Sequence, residues 1–436
     1  MKTKWLACIV GSVVVACSFV SAETITIATV NNGDMIRMQN LSGEFTKQNP
    51  DIKLKWVTLE ENVLRQRVTT DIATKGGQYD VMTIGTYEVP IWGKRGWLAS
   101  LNDLPKSYDV NDILPAIKKG LTVNNTLYAL PFYGESSMIM YRKDLMQKAG
   151  LTMPKAPSWK FIAAAARKMT DRKNDINGIC LRGKAGWGEN MALLTATANS
   201  FGAKWFDMKW NPQFNSKEWK QTLSFYVNLM KDAGPKGASS NGFNENLALF
   251  QTGKCGMWLD ATVAASFVTN PKGSQVADKV GFALAPDNGL GKRSNWLWAW
   301  TLAIPNGSKK IKAAKKFIEW ATSKEYIKMV AMKDGWASVP PGTRTSLYKN
   351  PKYLKAAPFA QMTLDSINSA DPSHPTVDQV PYVGVQFVAI PEFQGIATNV
   401  GQQFSAALAG TISVDQALKN AQSYTRRAMM RAKYIK

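Results

Sequence analysis

Apolar and polar positions alternate across Glu23–Val30, with Ile25 and Ile27 on one side, which predicts a strand. Asn31-Asn32-Gly33-Asp34 breaks the alternation and offers a helix cap. Met35, Met38, Leu41 and Phe45 then fall on one helical face that ends before Asn49-Pro50. Ile52, Leu54 and Trp56 alternate again, Leu64, Val68 and Ile72 recur at helical spacing, Gly76-Gly77 stops that helix, and 81–84 is a third apolar run. This β-α-β-α-β order predicts an α/β fold with a mostly parallel sheet and helices on both faces. Such sheets bind ligands beyond the carboxyl ends of their strands. That singles out the loops 31–34, 60–62 and 85–88.

The stretch 127–150 has a different design. An apolar run broken by Pro131 meets Gly134-Glu135-Ser136-Ser137, and a second apolar run, 138–141, leads into the charged helix start Arg142-Lys143-Asp144. Two strands joined through a short polar segment can carry a chain from one lobe to another, with Glu135 facing the cleft; a surface turn with Glu135 solvated is the competing reading. Beyond it, periodicity predicts helices at 161–169, 217–231 and 244–250, and a strand at 253–259 that ends before Asp260. A short strand at 179–181 precedes a Gly-rich loop, 183–190, with Trp187 and Glu189. Trp296, Trp298 and Trp300 alternate into a strand at 296–304, a basic helix follows at 309–320, and 414–427 is the clearest helix of the tail.

Length and composition narrow the class. A chain of 436 residues has room for two domains, and 45 % hydrophobic with 20 % charged residues describes a globular protein. Lys2 and Lys4 before an apolar run at 6–20, then Val20-Ser21-Ala22, predict an export leader cleaved after Ala22. Val14-Val15-Ala16-Cys17 offers a competing lipoprotein site at Cys17. Cys180 and Cys255 then remain, either paired in an oxidising compartment or buried as small hydrophobes. A formal charge of +22 invites a polyanion, but the lysines are spread along the chain and no nucleic-acid motif accompanies them, so no nucleic-acid partner is expected.

Much chemistry is missing. The single His374 lies between Ser373 and Pro375, so a histidine-dependent nucleophile would rest on one loop residue. No Cys/His cluster has metal spacing. Residues 178–184 spell G-x-x-x-x-G-K, but Ala185 replaces the magnesium-binding hydroxyl and a polar loop precedes it. Paired carboxylates for glycoside cleavage stay open, with Glu88, Glu135, Glu189 and Asp260 as candidates. No cofactor and no enzymatic activity are expected, an exported carbohydrate-active enzyme being the alternative.

Several short motifs together resemble the extracellular solute-binding proteins of ABC sugar importers, the maltodextrin-binding type. They are Gly77-Gln78-Tyr79-Asp80-Val81-Met82, Tyr141-Arg142-Lys143-Asp144-Leu145, Ser158-Trp159, Phe250-Gln251-Thr252-Gly253-Lys254-Cys255-Gly256-Met257, and Gly335-Trp336 with Pro340-Pro341. The resemblance implies a periplasmic-binding-protein fold of two α/β lobes, each a mostly parallel sheet with flanking helices, joined by hinge crossovers, lobe 1 from 23–134 plus 292–338 and lobe 2 from 135–291 plus 339–436. It implies a periplasmic, monomeric protein that closes over a sugar alcohol or small sugar and delivers it to an ABC permease, a binding protein for a disaccharide being the alternative. Carried over residue by residue, it places Asn32, Tyr87, Glu88, Glu135, Trp187, Glu189, Asp260, Trp298, Trp300, Trp336 and Arg344 at the ligand. The chain has Tyr87-Glu88 where the family places an aspartate-arginine pair, and small residues at 397–401 where it places an aromatic and an arginine. A small ligand is therefore favoured over an oligosaccharide.

Overall fold

The computed structural model describes residues 22–436. The predicted leader and Cys17 lie outside the described residues. In chain order the strands that build the two main sheets are β1 (Glu23–Val30), β2 (Ile52–Leu59), β3 (Val81–Gly85), β4 (Ala129–Glu135), β5 (Ser137–Arg142), β6 (Met257–Ala261), β7 (Val280–Leu284) and β8 (Trp298–Ala303). The first sheet is five-stranded, in the order β2-β1-β3-β8-β4. Its β1, β2 and β3 are parallel, as the alternation with helices Gly33–Leu41 and Glu61–Thr74 requires, and β8 joins antiparallel to β3 and β4.

The second sheet departs from expectation. It is three-stranded, β6-β5-β7, and antiparallel throughout. The reason lies in the crossing: β5 leaves the first lobe directly after β4, whereas β6 and β7 run back toward it, Ala261 pairing with Ser137 and Leu284 with Met138. The segment 179–181 is not a strand; Cys180 makes a single bridge to Trp258.

Helices cover this small sheet. Trp159–Met169 and Lys217–Ala233 bury the apolar stripes that periodicity identified. Asn190–Ser200 is a helix as well, with all eleven residues buried. Apolar residues and small polar ones, Asn190, Thr195, Thr197, Asn199 and Ser200, are mixed around the whole helix, so it lacks the one-sided pattern that reveals a surface helix. Phe393–Leu408 and Val414–Arg431 pack on one another and on Lys217–Ala233.

Three crossings connect the lobes. The first is Ser136, between β4 and β5, and the second lies between Leu284 and Trp298. The third falls later than position 339. Thr343 accepts from the amide of Leu114 at 2.9 Å, Thr345 donates to Asp112 at 2.7 Å, and the amide of Gly134 donates to Pro341 at 2.9 Å. Residues 341–345 therefore stay with the first lobe, and the second is reached only by Ala360–Asn368, which packs on β5 and β7. At this hinge Gly134 and Gly342 meet backbone to backbone. A Cβ on Gly342, whose φ is +70°, would lie 1.9 Å from the Gly134 carbonyl oxygen.

Cys180 and Cys255 form a disulfide, with Cα atoms 5.9 Å apart. It ties the chain entering the Gly-rich loop to the start of β6.

Candidate ligand-binding site

The hinge strands supply the floor of the cleft. Side chains of a strand alternate between its faces, so Tyr133 and Glu135 on β4 share one face. Register pairs them with Trp300 and Trp298 on β8. Trp296 continues the same alternation upstream. The roof comes from three loops. The turn after β1 gives Asn32, whose Oδ1 caps the following helix at Met35 and whose Nδ2 donates to the Tyr133 hydroxyl at 2.7 Å. The start of Glu61–Thr74 gives Glu61 and Arg65, and the 182–189 loop gives Arg182, Lys184, Trp187 and Glu189.

These groups enclose a cavity of two contiguous chambers of about 70 Å³ and 30 Å³, both lined by Glu61, Glu135, Arg182 and Trp300. A single water needs only ~10–15 Å³, so there is room for one small ligand. The lobes are closed over it. Lys184 Nζ lies 2.7 Å from Glu60 Oε1, Asn62 Nδ2 donates to the Ala185 carbonyl at 3.2 Å, and the Tyr87 hydroxyl donates to the Ile390 carbonyl at 2.9 Å. Closure also needs bare backbone: a Cβ on Gly186 would lie 2.3 Å from Asn62 Oδ1, and one on Gly188 2.5 Å from Glu61 Oε1.

Two arginines are fixed in the walls. Arg182 forms a bidentate pair with Asp260, Nη2 to Oδ1 at 2.7 Å and Nε to Oδ2 at 2.9 Å, and its Nη1 reaches the Gly188 carbonyl and Glu189. Arg65 donates to Glu61 at 2.8 Å and to Glu88 at 3.3 Å, while its guanidinium stacks 4.0 Å from the Trp187 ring, 4.5 Å from Trp300 and 4.9 Å from Trp298. Burial raises Glu135 to about 8; Arg182 opposes the rise, and Asp260 and Glu61 add to it. Burial also raises Glu189 to about 8, with Glu61 adding and Arg182 opposing. Both carboxyls are thus held toward the protonated form, able to donate as well as accept. Among the described residues, the indole N–H groups of Trp187 and Trp298 are buried without a protein acceptor.

The family described as bacterial extracellular solute-binding protein matches residues 32–328. A mannitol-binding protein of Pseudomonas aeruginosa is 58 % identical over 415 residues, covering 95 % of each chain. The chain belongs to the bacterial extracellular solute-binding protein family. Among solved structures, a solute-binding protein of Agrobacterium vitis with bound D-mannitol is 74 % identical at a TM-score of 0.94, covering 95 % of this chain and 100 % of that one. One of Agrobacterium radiobacter in complex with ribitol is 25 % identical at a TM-score of 0.83, covering 94 % and 99 %. The fold is accordingly the two-lobed periplasmic-binding-protein fold.

Within this solute-binding protein the residues singled out in sequence do not all reach the cavity. Asn32, Glu135, Trp187, Glu189, Trp298 and Trp300 line the cavity. Glu88 and Asp260 lie behind it, fully engaged. Glu88 holds Arg65 and accepts from the Gly85 amide at 2.9 Å; Asp260 holds Arg182, accepts from Trp258 Nε1 at 3.0 Å and from the Ala261 amide at 2.7 Å. Tyr87 stacks on Trp187 at 4.8 Å and bonds across the lobes.

Trp336 and Arg344 sit elsewhere. Trp336 starts a short 3-10 turn, Trp336–Ser338, ahead of the third crossing. Arg344 is buried in the first lobe, donating to the carbonyls of Tyr108, Asp109 and Thr322 at 3.0–3.1 Å. A guanidinium buried that deeply spends its donors on carbonyls the cleft does not contain. Sequence reasoning passed over Glu61, Arg65, Tyr133 and Arg182. Glu61 sits in a loop already marked by the sheet topology; for the others no sequence pattern carries the signal.

Proposed function

We propose that this protein captures an acyclic sugar alcohol, with mannitol the leading candidate, in the exported compartment and hands it as a monomer to the membrane subunits of an ABC importer, without chemistry on the ligand. The carrying observation is the cavity itself. A polyol needs partners that donate and accept along a row of hydroxyls, and aromatic faces for its C–H side. The cavity supplies Glu135 and Glu189 in a near-protonated state, Asn32, and the indoles of Trp187, Trp298 and Trp300. Its small volume suits an unsubstituted chain. The mannitol- and ribitol-bound neighbours support the same class. Against an enzyme, two of the carboxylates considered for acid–base work, Glu88 and Asp260, are each committed to an arginine.

Calorimetric titration with mannitol, sorbitol, ribitol, glucose and maltose tests the reading. An alditol should bind well below millimolar and maltose should not; no alditol binding below millimolar would end the proposal. Glu135→Ala should weaken alditol binding by about 1–3 kcal/mol, the cost of an unsatisfied buried partner.

A further inference from the structure

The buried cavity has a neighbour. Along Glu61–Thr74 the positions Asn62, Gln66, Thr69 and Thr70 recur at helical spacing on one face. Gln394, Thr398, Asn399 and Gln402 do the same on Phe393–Leu408, in the other lobe. Between the two faces runs an open groove of about 570 Å³, with Tyr424 in its lining. Thr69 Oγ1 bridges it to Gln394 Oε1 at 3.2 Å. Among the described residues, the side-chain amides of Gln66, Asn399 and Gln402 have no hydrogen bond to the protein. These solvated amides and the Tyr424 ring together offer hydrogen-bonding groups and one aromatic face to a neutral sugar ring.

The groove and the inner chamber of the cavity share two lining residues, Arg65 and Trp187. They form the wall between the two spaces. The wall is stiff: Arg65 is held by Glu61 and Glu88 and stacked on three indoles, and Trp187 is wedged between Tyr87 at 4.8 Å, Trp298 at 5.9 Å and Phe393 at 6.3 Å. Resting on the alditol reading above, we propose that the Arg65–Trp187 stack is a length gauge, which ends the site at one alditol chain and shuts it off from an outer sugar subsite formed by the groove. The ligand class set aside by this wall is the glycosyl alditol, a hexitol carrying one sugar ring. Remove the wall and the two spaces join into a site for both halves.

The test compares mannitol with maltitol by calorimetry on the full mature chain. The native protein should bind mannitol and bind maltitol at least a hundredfold more weakly. Trp187→Ala should gain tenfold or more for maltitol while losing affinity for mannitol. Adding Asn399→Ala and Gln402→Ala to that variant should remove the gain, whereas in the native background the same pair should leave mannitol binding unchanged. Native binding of maltitol as tight as that of mannitol overturns the gauge. So does a Trp187→Ala protein that still binds mannitol and melts cooperatively yet gains nothing for maltitol. A gain that survives loss of Asn399 and Gln402 overturns the outer subsite. If Trp187→Ala fails to fold, Trp187→Leu carries the same comparison. Failure of the native protein to bind any alditol would instead strike at the alditol reading.

Discussion

Arg65 and Arg182 face the same cavity from opposite lobes, and each is bracketed by two carboxylates. Their surroundings differ. Arg182 is held within its own lobe: Asp260 closes β6, Glu189 and the Gly188 carbonyl lie on the adjoining loop, and the disulfide Cys180–Cys255 anchors that loop from behind. Arg65 is held half by its own lobe, through Glu61 and Glu88, and half by Trp187 of the other. The first arrangement exists whether or not the lobes meet. The second is complete only when they do. One arginine is therefore part of a lobe's architecture and the other part of its closure.

Removing Asp260 should have the largest effect, because it strands a buried guanidinium. Asp260→Ala should cost about 3–5 kcal/mol of stability in the ligand-free protein, read as a fall in denaturation midpoint. A small loss would mean that Arg182 is not committed to the lobe. Glu88→Gln keeps the acceptor for the Gly85 amide but removes the charge opposite Arg65. It should cost less, about 1–3 kcal/mol, and should appear in ligand affinity as well as in stability. An effect on stability alone would place Arg65 with Arg182 as a purely structural residue.

Acidity gives a third comparison. Glu135 and Glu189 titrate at about 8 when folded against an ordinary value of 4.5, and Asp34, buried beside Arg37, at about 6 against 3.8. Between the unfolded and folded values the native state binds more protons than the unfolded one, so stability falls as pH rises. This contribution should be full below about pH 4.5 and lost by pH 8–9. Glu189→Gln should flatten the slope of the melting temperature across that window, and an unchanged slope would show that Glu189 is ionised throughout. The smallest effect belongs to the rim pair Lys184–Glu60, partly exposed at 2.7 Å. Lys184→Met should change affinity by no more than about 1 kcal/mol, and less at high salt.

What could be read from sequence follows the same division. The first half-lobe was legible because each strand and helix there buries one face, so alternation and helical spacing both show. The hinge strand was legible because Glu135 stands as a lone charge between apolar runs. Asn190–Ser200, buried on every side, has no pattern to read. The arginines failed for a different reason. Arg65 occupies an ordinary polar position of its helix, and its burial depends on side chains far along the chain, Trp298 and Trp300 of its own lobe and Trp187 of the other. Arg182 lies in an irregular segment whose role depends on a strand end far along the chain. Sequence singled out Glu88 and Asp260 beside strand ends but could not show that another side chain had already claimed their oxygens.

The stack around Arg65 has an optical consequence. Trp187, Trp298 and Trp300 stand edge to face, with centroids 5.6–5.9 Å apart between successive rings and a cation against all three. One of these indoles belongs to the lobe that moves. Opening the cleft should separate Trp187 from the other two and admit solvent to all of them, so a change in tryptophan emission, set against the constant signal of the remaining indoles of a fifteen-Trp chain, should report the distance between lobes. Ligand-induced closure should then be followed by rapid mixing without any label.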